Sequence, residues 1–176
     1  RIGTSGAIQQ DIPVDSFLIS EYAIGLDSLL HFYDSLHIQH PEIQEAFLKH
    51  TKWLKEKSSP YVVAYDKDLG AQFVSDKMQL GFTATNVGFY GPQGRSLRLK
   101  LEDDNMNAKL ASFNYKNKRI TNLEMETSGI YGLAKLLGHR AVSLNCILAN
   151  RPNGQFSSRP DSAIDELIKY ALNKIA

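Results

Sequence analysis

Residues 122–149 read N-L-E-M-E-T-S-G-I-Y-G-L-A-K-L-L-G-H-R-A-V-S-L-N-C-I-L-A, and no other stretch indicates the fold class as clearly. Its first part predicts a helix with an N-cap at Asn122 that ends at Leu137, because glycine, here Gly138, commonly follows a last helical turn. Its last part, residues 141–149, is nearly all apolar and has the length of a strand. A helix that leads into a buried strand is typical of an α/β protein.

The segments before and after this stretch continue the alternation of strands and helices. Further strands are predicted at residues 15–24, 61–65 and 79–85, and amphipathic helices at residues 42–57 and 161–175. Loops are predicted at residues 88–95 and 150–160, while residues 97–101 and 103–111 leave helix and loop open. The alternation predicts an α/β chain in which helices cover a mainly buried sheet.

The composition is that of one compact domain of ordinary charge. The chain has 176 residues, of which 43% are hydrophobic and 22% charged, so it can bury a core. A net charge of +1 gives no global field that would hold nucleic acid or an acidic membrane. We therefore expect a single domain over residues 1–176, without a nucleic-acid or membrane partner, whose affinity for anions is confined to a local site.

Cysteine usage and the lack of targeting patterns favour a cytoplasmic protein. The single Cys146 lies in an apolar run and can form no internal disulfide, which fits a reducing compartment. No apolar run reaches the roughly 18 residues of a membrane span, and no signal-peptide pattern is present.

Common metal and enzyme motifs do not occur in this sequence. The five histidines lack the spacing of metal ligands, and a lone cysteine cannot supply a zinc pair. Neither G-x-S-x-G nor the G-x-x-x-x-G-K-S/T phosphate loop is found. We expect no metal site and no organic cofactor.

The first segment that could bind a ligand is R-I-G-T-S-G at residues 1–6. A glycine-rich turn after a strand exposes backbone N–H groups, and Arg1 and Thr4 would add donors for an oxyanion. The same six residues also fit a tight turn in which Gly3 and Gly6 serve only backbone geometry. The segment alone does not distinguish these two interpretations.

The second segment is the predicted loop G-F-Y-G-P-Q-G-R at residues 88–95. Gln93 can pair with the amide edge of a planar heterocycle, Arg95 can receive its negative charge, and Phe89 can pack on a ring. The alternative is a surface loop in which the arginine serves as a cap.

The third segment, residues 122–129, holds Glu124 and Glu126 in the first turn of the predicted helix. The helix dipole keeps carboxylates ionised there, so both are good acceptors for hydroxyl groups. Residues two apart do not share one helix face, which speaks against two carboxylates acting on one proton. The alternative is ordinary charge complementation at a helix N-terminus, with Met125 as a core residue.

Four segments taken in order resemble the nucleoside phosphorylase superfamily, and within it the uridine phosphorylases most closely. They are R-I-G-T-S-G-A-I-Q, F-Y-G-P-Q-G-R, N-L-E-M-E-T-S and I-L-A-N-R, the last at residues 147–151. The resemblance implies a three-layer α/β/α sandwich with a central mixed sheet and a homo-oligomer built from dimers. It also implies a further N-terminal section, so the chain is expected to lack that section.

The resemblance also implies roles for individual residues. Arg1, Gly3 and Thr4 match positions that bind phosphate, and Thr4 also lies near the ribose. The nucleoside-binding positions are matched by Phe89, Gln93, Arg95, Glu124, Met125, Glu126, Leu148 and Arg151. Within this set Gln93 and Arg95 would read uracil and stabilise its developing charge, and Glu126 would hold the sugar hydroxyls.

The implied reaction is reversible phosphorolysis of uridine, with phosphate as co-substrate, to uracil and ribose 1-phosphate. Purine-preferring relatives usually place an aspartate after the last strand, whereas this chain has Asn150 and Arg151, which favours a pyrimidine. G-P-Q-G-R departs from the more frequent P-G-Q-E-R, and residues 96–119 have no clear counterpart. A purine phosphorylase, a nucleosidase of the same superfamily and a non-catalytic nucleoside-binding protein remain as alternatives.

Overall fold

The computed structural model describes residues 1–175 and contains one mixed eight-stranded sheet. The strands are β1 Ile2–Ala7, β2 Phe17–Gly25, β3 Tyr61–Ala64, β4 Met78–Thr85, β5 Asn114–Tyr115, β6 Lys118–Glu124, β7 Leu144–Asn150 and β8 Gln155–Phe156. The helices are α1 Pro41–Thr51, α2 Lys67–Ala71, α3 Met106–Ser112, α4 Thr127–Leu136 and α5 Pro160–Ile175. Short 3-10 turns occupy Leu29–Phe32, Leu36–Ile38 and Gly91–Gln93.

The central strands of this sheet form a closed ring. Their order is β3-β2-β4-β6-β1-β7-β8, and β2 also pairs with β7 through residues 17–19. The pairs β2 with β4, β4 with β6 and β1 with β7 are parallel, and the other pairs are antiparallel. The ring β2-β4-β6-β1-β7 therefore has an inner and an outer face.

Helices cover two faces of the sheet, which confirms the predicted α/β class with a central mixed sheet. Phe47 of α1 and Leu110 of α3 pack with Ile24 of β2. Ala23, which precedes Ile24 and therefore lies on the other face of β2, packs with Tyr131 of α4. A further cluster joins α5 to β7. Within residues 1–175, no helix is both long and apolar enough to cross a membrane.

Most predicted elements are confirmed, but one helix is shorter than the sequence indicated. The helix predicted at residues 42–57 ends at Thr51, because Lys52 adopts a left-handed conformation with φ of 50°. The Thr51 hydroxyl donates to the Phe47 carbonyl, 2.8 Å away. The apolar Trp53, which extended the predicted periodicity, instead packs back on Phe47 from outside the helix.

The start of the helix predicted after Asn122 is wrong. Asn122 is a buried residue of β6, and α4 begins five residues later at Thr127. The Asn122 side chain accepts a hydrogen bond from Thr83 Oγ1 at 2.8 Å and donates one to Ser5 Oγ at 2.9 Å. Partners from two neighbouring strands thus hold Asn122 in the sheet, and the local N-cap preference is overridden. The end of the helix near Gly138 is confirmed by its φ of 73°.

The glycine-rich turn predicted at residues 1–6 is also wrong, because residues 2–6 lie in β1. Gly3 and Gly6 pair with residues of β7 and do not reverse the chain. A Cβ atom at either position would lie close to an arginine side chain, Arg1 at Gly3 and Arg151 at Gly6.

Candidate active site

Arg1 lies at the open end of the ring, where β1 begins. Its Nη1 donates to Ser143 Oγ at 3.1 Å and to Asn145 Oδ1 at 3.0 Å, and its Nη2 donates to Glu126 Oε2 at 2.6 Å. A Cβ atom on Gly3 would lie 2.6 Å from the guanidinium carbon of Arg1. Because glycine has no Cβ atom, the Arg1 guanidinium group can occupy this space.

Glu124 is the last residue of β6 and links the sheet to the start of α4. Its Oε1 accepts from Thr85 Oγ1 at 2.6 Å, and its Oε2 accepts from Thr127 Oγ1 at 2.7 Å. Oε2 also accepts the backbone N–H groups of Glu126 and Thr127 at 2.9 and 2.8 Å, and lies 3.5 Å from Arg1 Nη2. The carboxylate stabilises the N-terminus of α4 from the strand, not from the first turn predicted for it.

Glu126 and Met125 form the exposed side of this region. The Glu126 side chain is 49% exposed and forms an ion pair with Arg1, whereas Glu124 is buried. Met125 is 43% exposed, so its interpretation as a core residue is wrong. Of the two carboxylates, Glu126 is the one that a ligand hydroxyl can reach from solvent.

Arg1, Glu124 and Glu126 form a first cluster. Gln93, Arg95 and Arg151 come together in a second cluster. Gln93 is only 2% exposed, and its Oε1 accepts from Arg95 Nη1 at 3.0 Å and also from Arg151 Nη2. Arg151 Nη1 donates to the Gln93 backbone carbonyl at 2.7 Å. The Arg95 guanidinium lies 3.7 Å from the centre of the Phe89 ring and donates to the Phe89 carbonyl. The structure thus brings Phe89, Gln93, Arg95 and Arg151 together.

This second cluster carries positive charge that no carboxylate neutralises within residues 1–175. Burial, and secondly the neighbouring charge of Arg95, lowers the pKa of Arg151 to about 10. Burial also lowers the pKa of Arg95. Arg151 Nε is buried without a hydrogen-bond partner among the described residues. A planar group that accumulates negative charge would be stabilised beside these arginines.

Strand β1 connects the two clusters. Arg1 precedes its first residue, and a Cβ atom on Gly6, near its other end, would lie 3.1 Å from Arg151 Nε. Thr4 lies between them, is exposed, and its side chain makes no hydrogen bond to any other described residue. Leu148, next to this end of β1, is half-buried and packs against the cluster beneath α5.

The residues that support these clusters were not predicted. Asn107 of α3 donates to the Gln93 carbonyl at 3.1 Å, and Ser143 and Asn145 hold Arg1. A signal for the last two was present, since residues 143 and 145 are polar and alternate with the apolar residues 142, 144 and 146. Nothing comparable marks Asn107.

Two cavities border the second cluster. One of about 730 Å³ includes Arg95 in its wall, and another of about 800 Å³ includes Arg151 and Asn107. Neither cavity is lined by Arg1, Glu124 or Glu126. Residues 1–175 contain no group of three or more side chains suited to hold a metal ion.

Several known proteins resemble this chain in sequence or in fold. The chain is 28% identical to a uridine phosphorylase of Thermococcus kodakarensis over 162 residues, which are 89% of this chain and 50% of the relative. The crystal structure of a Trypanosoma brucei nucleoside phosphorylase reported to show uridine phosphorylase activity superimposes with a TM-score of 0.84 at 25% identity, over 99% of this chain and 62% of that one.

A further structure, from work on uridine phosphorylases of the oomycete Phytophthora capsici, has the same fold. Its TM-score is 0.68 at 19% identity, over 99% of this chain and 64% of that one. The chain spans about half the length of the curated relative and less than two thirds of each solved one. The family profile of the phosphorylase superfamily matches residues 1–172. The chain therefore belongs to the phosphorylase superfamily.

Proposed function

We propose that this protein is a nucleoside phosphorylase that converts uridine and phosphate reversibly to uracil and ribose 1-phosphate. The observation that carries the proposal is the convergence of Arg95 and Arg151 on the buried Gln93 side chain, without a carboxylate partner among the described residues. The similarity to a uridine phosphorylase supports the same substrate. The proposal includes phosphate as co-substrate, no further cofactor and a homo-oligomer built from dimers.

In this proposal the second cluster recognises the base. Gln93 Oε1 is occupied by the two arginines, whereas Gln93 Nε2 donates no hydrogen bond within residues 1–175. Nε2 is therefore available to donate to a carbonyl of uracil. When the bond between C1′ and the base breaks, its electron pair moves to the base, and Arg95 stabilises the resulting charge. A preorganised donor of this kind contributes about 3 kcal/mol to transition-state stabilisation.

The first cluster would hold the sugar and phosphate. Glu126 accepts hydrogen bonds from the ribose hydroxyls, and Arg1 and Thr4 position phosphate with the β1 backbone at Gly3. A phosphate oxygen forms the new bond to C1′ as the base leaves, so no covalent enzyme intermediate is needed. Positioning phosphate beside C1′ replaces a bimolecular encounter with an oriented one.

The test is an assay of base release from uridine, inosine and adenosine, each with and without phosphate. We expect release of uracil from uridine that depends on phosphate, together with formation of ribose 1-phosphate. Equal release without phosphate would identify a nucleosidase, and preference for inosine or adenosine a purine enzyme. Binding of uridine without turnover would identify a nucleoside-binding protein.

A further inference from the structure

The cavity of about 730 Å³ is lined largely by residues 86–103 and not by Arg1, Glu124 or Glu126. Its wall is mostly apolar and includes the buried Leu26 and Met106, together with Trp53 and Leu101. Its volume is within the range of small-molecule sites, which are typically apolar with a few placed polar groups. The polar groups of this cavity therefore indicate what ligand it can take.

One such group is Asn86, which follows β4 and is 2% exposed. Its Nδ2 donates to the Ala84 carbonyl at 3.1 Å, but its buried Oδ1 accepts no hydrogen bond from any described residue. Leaving a buried acceptor unpaired is unfavourable, and such atoms are uncommon in folded proteins. A ligand with an N–H or O–H group would satisfy this oxygen.

The charges of the cavity wall are unbalanced. Arg98 and Lys100 form no ion pair within residues 1–175. Asp103 is already paired with Lys109 at 2.8 Å, and this contact lowers the pKa of the Asp103 carboxyl. Glu102 is the other carboxylate of the wall. The excess of positive charge favours an anionic ligand group.

The segment above the cavity leaves apolar side chains in solvent. Leu97 is 75% exposed and Leu99 is 82% exposed, although both line the cavity. Exposed apolar patches with a polar rim commonly mark binding sites. These leucines are therefore available to contact the apolar part of a ligand.

We propose that this cavity binds an amphipathic aromatic anion. Its apolar rings would lie against Trp53 and Met106, its anionic group near Arg98 and Lys100, and an N–H or O–H donor would bond Asn86 Oδ1. This site does not depend on the proposed phosphorylase activity, although Arg95 borders both regions.

The probe for this site is 8-anilinonaphthalene-1-sulfonate, which combines aromatic rings, an N–H donor and an anion. We expect saturable binding of one probe per chain by fluorescence titration and calorimetry. N-phenyl-1-naphthylamine has the same rings and N–H group but no charge, and we expect it to bind about tenfold more weakly. Equal affinity for the two probes, or the absence of saturable binding, would overturn the proposal.

Charge reversal provides a second test. The double variant Arg98→Glu/Lys100→Glu should weaken binding of the sulfonate probe by about tenfold or more. The control Lys49→Glu/Lys169→Glu makes the same change in net charge at exposed positions of α1 and α5 outside the cavity. It should bind like the unmodified protein. The same loss in both variants would place the probe elsewhere and overturn the proposal.

Discussion

Gln93 has an unusual environment for a glutamine, because its side chain is almost fully buried between two arginines. Neither Arg95 nor Arg151 finds a carboxylate among residues 1–175, and the lowered pKa of each reflects the cost of burying its charge. Proximity to an anion would offset that cost. At the scale of single residues, the cluster is therefore arranged to favour a ligand that becomes negatively charged.

Replacing Arg95 tests this interpretation. We expect Arg95→Ala to lower kcat for uridine phosphorolysis by about 100-fold to 1000-fold, as for loss of one oxyanion donor. Arg95→Lys should recover only part of the rate, because lysine retains the charge but lacks the planar fork that bonds Gln93. Steady-state kinetics measure both effects. Arg140→Ala removes an exposed arginine elsewhere and serves as the control, and an equal loss there would contradict the assignment.

Cys146 should be inert although it is the only thiol. It is fully buried, and burial raises the pKa of its thiol to about 11. Because the thiolate is the reactive form, we expect alkylation by iodoacetamide at pH 8 to be at least ~100-fold slower than in urea-unfolded protein. As pH rises above 9, the Cys146 thiol ionises in the unfolded protein before it ionises in the folded one. The free energy of unfolding should therefore fall between pH 9 and 11. Rapid alkylation of folded protein would contradict its burial.

At the scale of elements, the junction between β6 and α4 organises the first cluster. Glu124 ends the strand and accepts both backbone N–H groups and hydroxyl groups at the helix start, while Glu126 remains exposed. The two carboxylates thus have different tasks although they are two residues apart. The buried one is structural, and the exposed one is available to a ligand.

Conservative substitutions separate these tasks. Glu124→Gln places an amide N–H₂ group opposite hydrogen-bond donors, so we expect it to lower the free energy of unfolding by about 2–3 kcal/mol. Glu126→Gln should lower it by less than ~1 kcal/mol, because its ion pair with Arg1 is partly exposed. Urea denaturation with circular dichroism measures both values. Equal destabilisation by the two variants would contradict the structural role of Glu124.

Sequence patterns predicted several strands of the sheet, and failed where distant partners decide the structure. Apolar runs identified β3, β4 and β7 because burial itself makes a strand apolar. Asn122 carries a local helix-cap signal, but its partners Thr83 and Ser5 lie on other strands. Gly3 likewise has a turn signal, but it pairs with Asn145 of β7, a residue far along the chain.

At the scale of the whole molecule, closure of the sheet creates a polar interior that a flat sandwich would not have. Ser20 and Asn145 share a hydrogen bond across β2 and β7, and Thr83 bonds both Ser20 and Asn122. Thr83 and Asn145 each stand between apolar neighbours in the sequence, but the pairing of β2 with β7 is not visible there. This network leads to Arg1 through Asn145, so the ring supports the candidate site directly.

Tyr131 of α4 joins the two strands that close the ring. Its hydroxyl donates to the Ser20 carbonyl and accepts from the Ser143 N–H, each at 2.7 Å, and it is buried. Tyr131→Phe removes both hydrogen bonds, so we expect a loss of about 1–3 kcal/mol in the free energy of unfolding. Tyr33→Phe, at a side chain that is 53% exposed, should have no measurable effect and is the control.

Amide hydrogen exchange shows whether the ring acts as one cooperative unit. The Ser20 N–H donates to Ser143 and the Ile147 N–H to Ser16, so both amides lie in the closing strands. We expect them to exchange only by global unfolding, and to lose protection in Tyr131→Phe by the full change in unfolding free energy. The exposed Asn117 N–H, bonded to a side chain in the hairpin between β5 and β6, should exchange by local opening. If the Ser20 and Ile147 amides exchanged as fast as the Asn117 amide, β2 and β7 would separate while the rest of the sheet remains folded. The ring would then not be one cooperative unit.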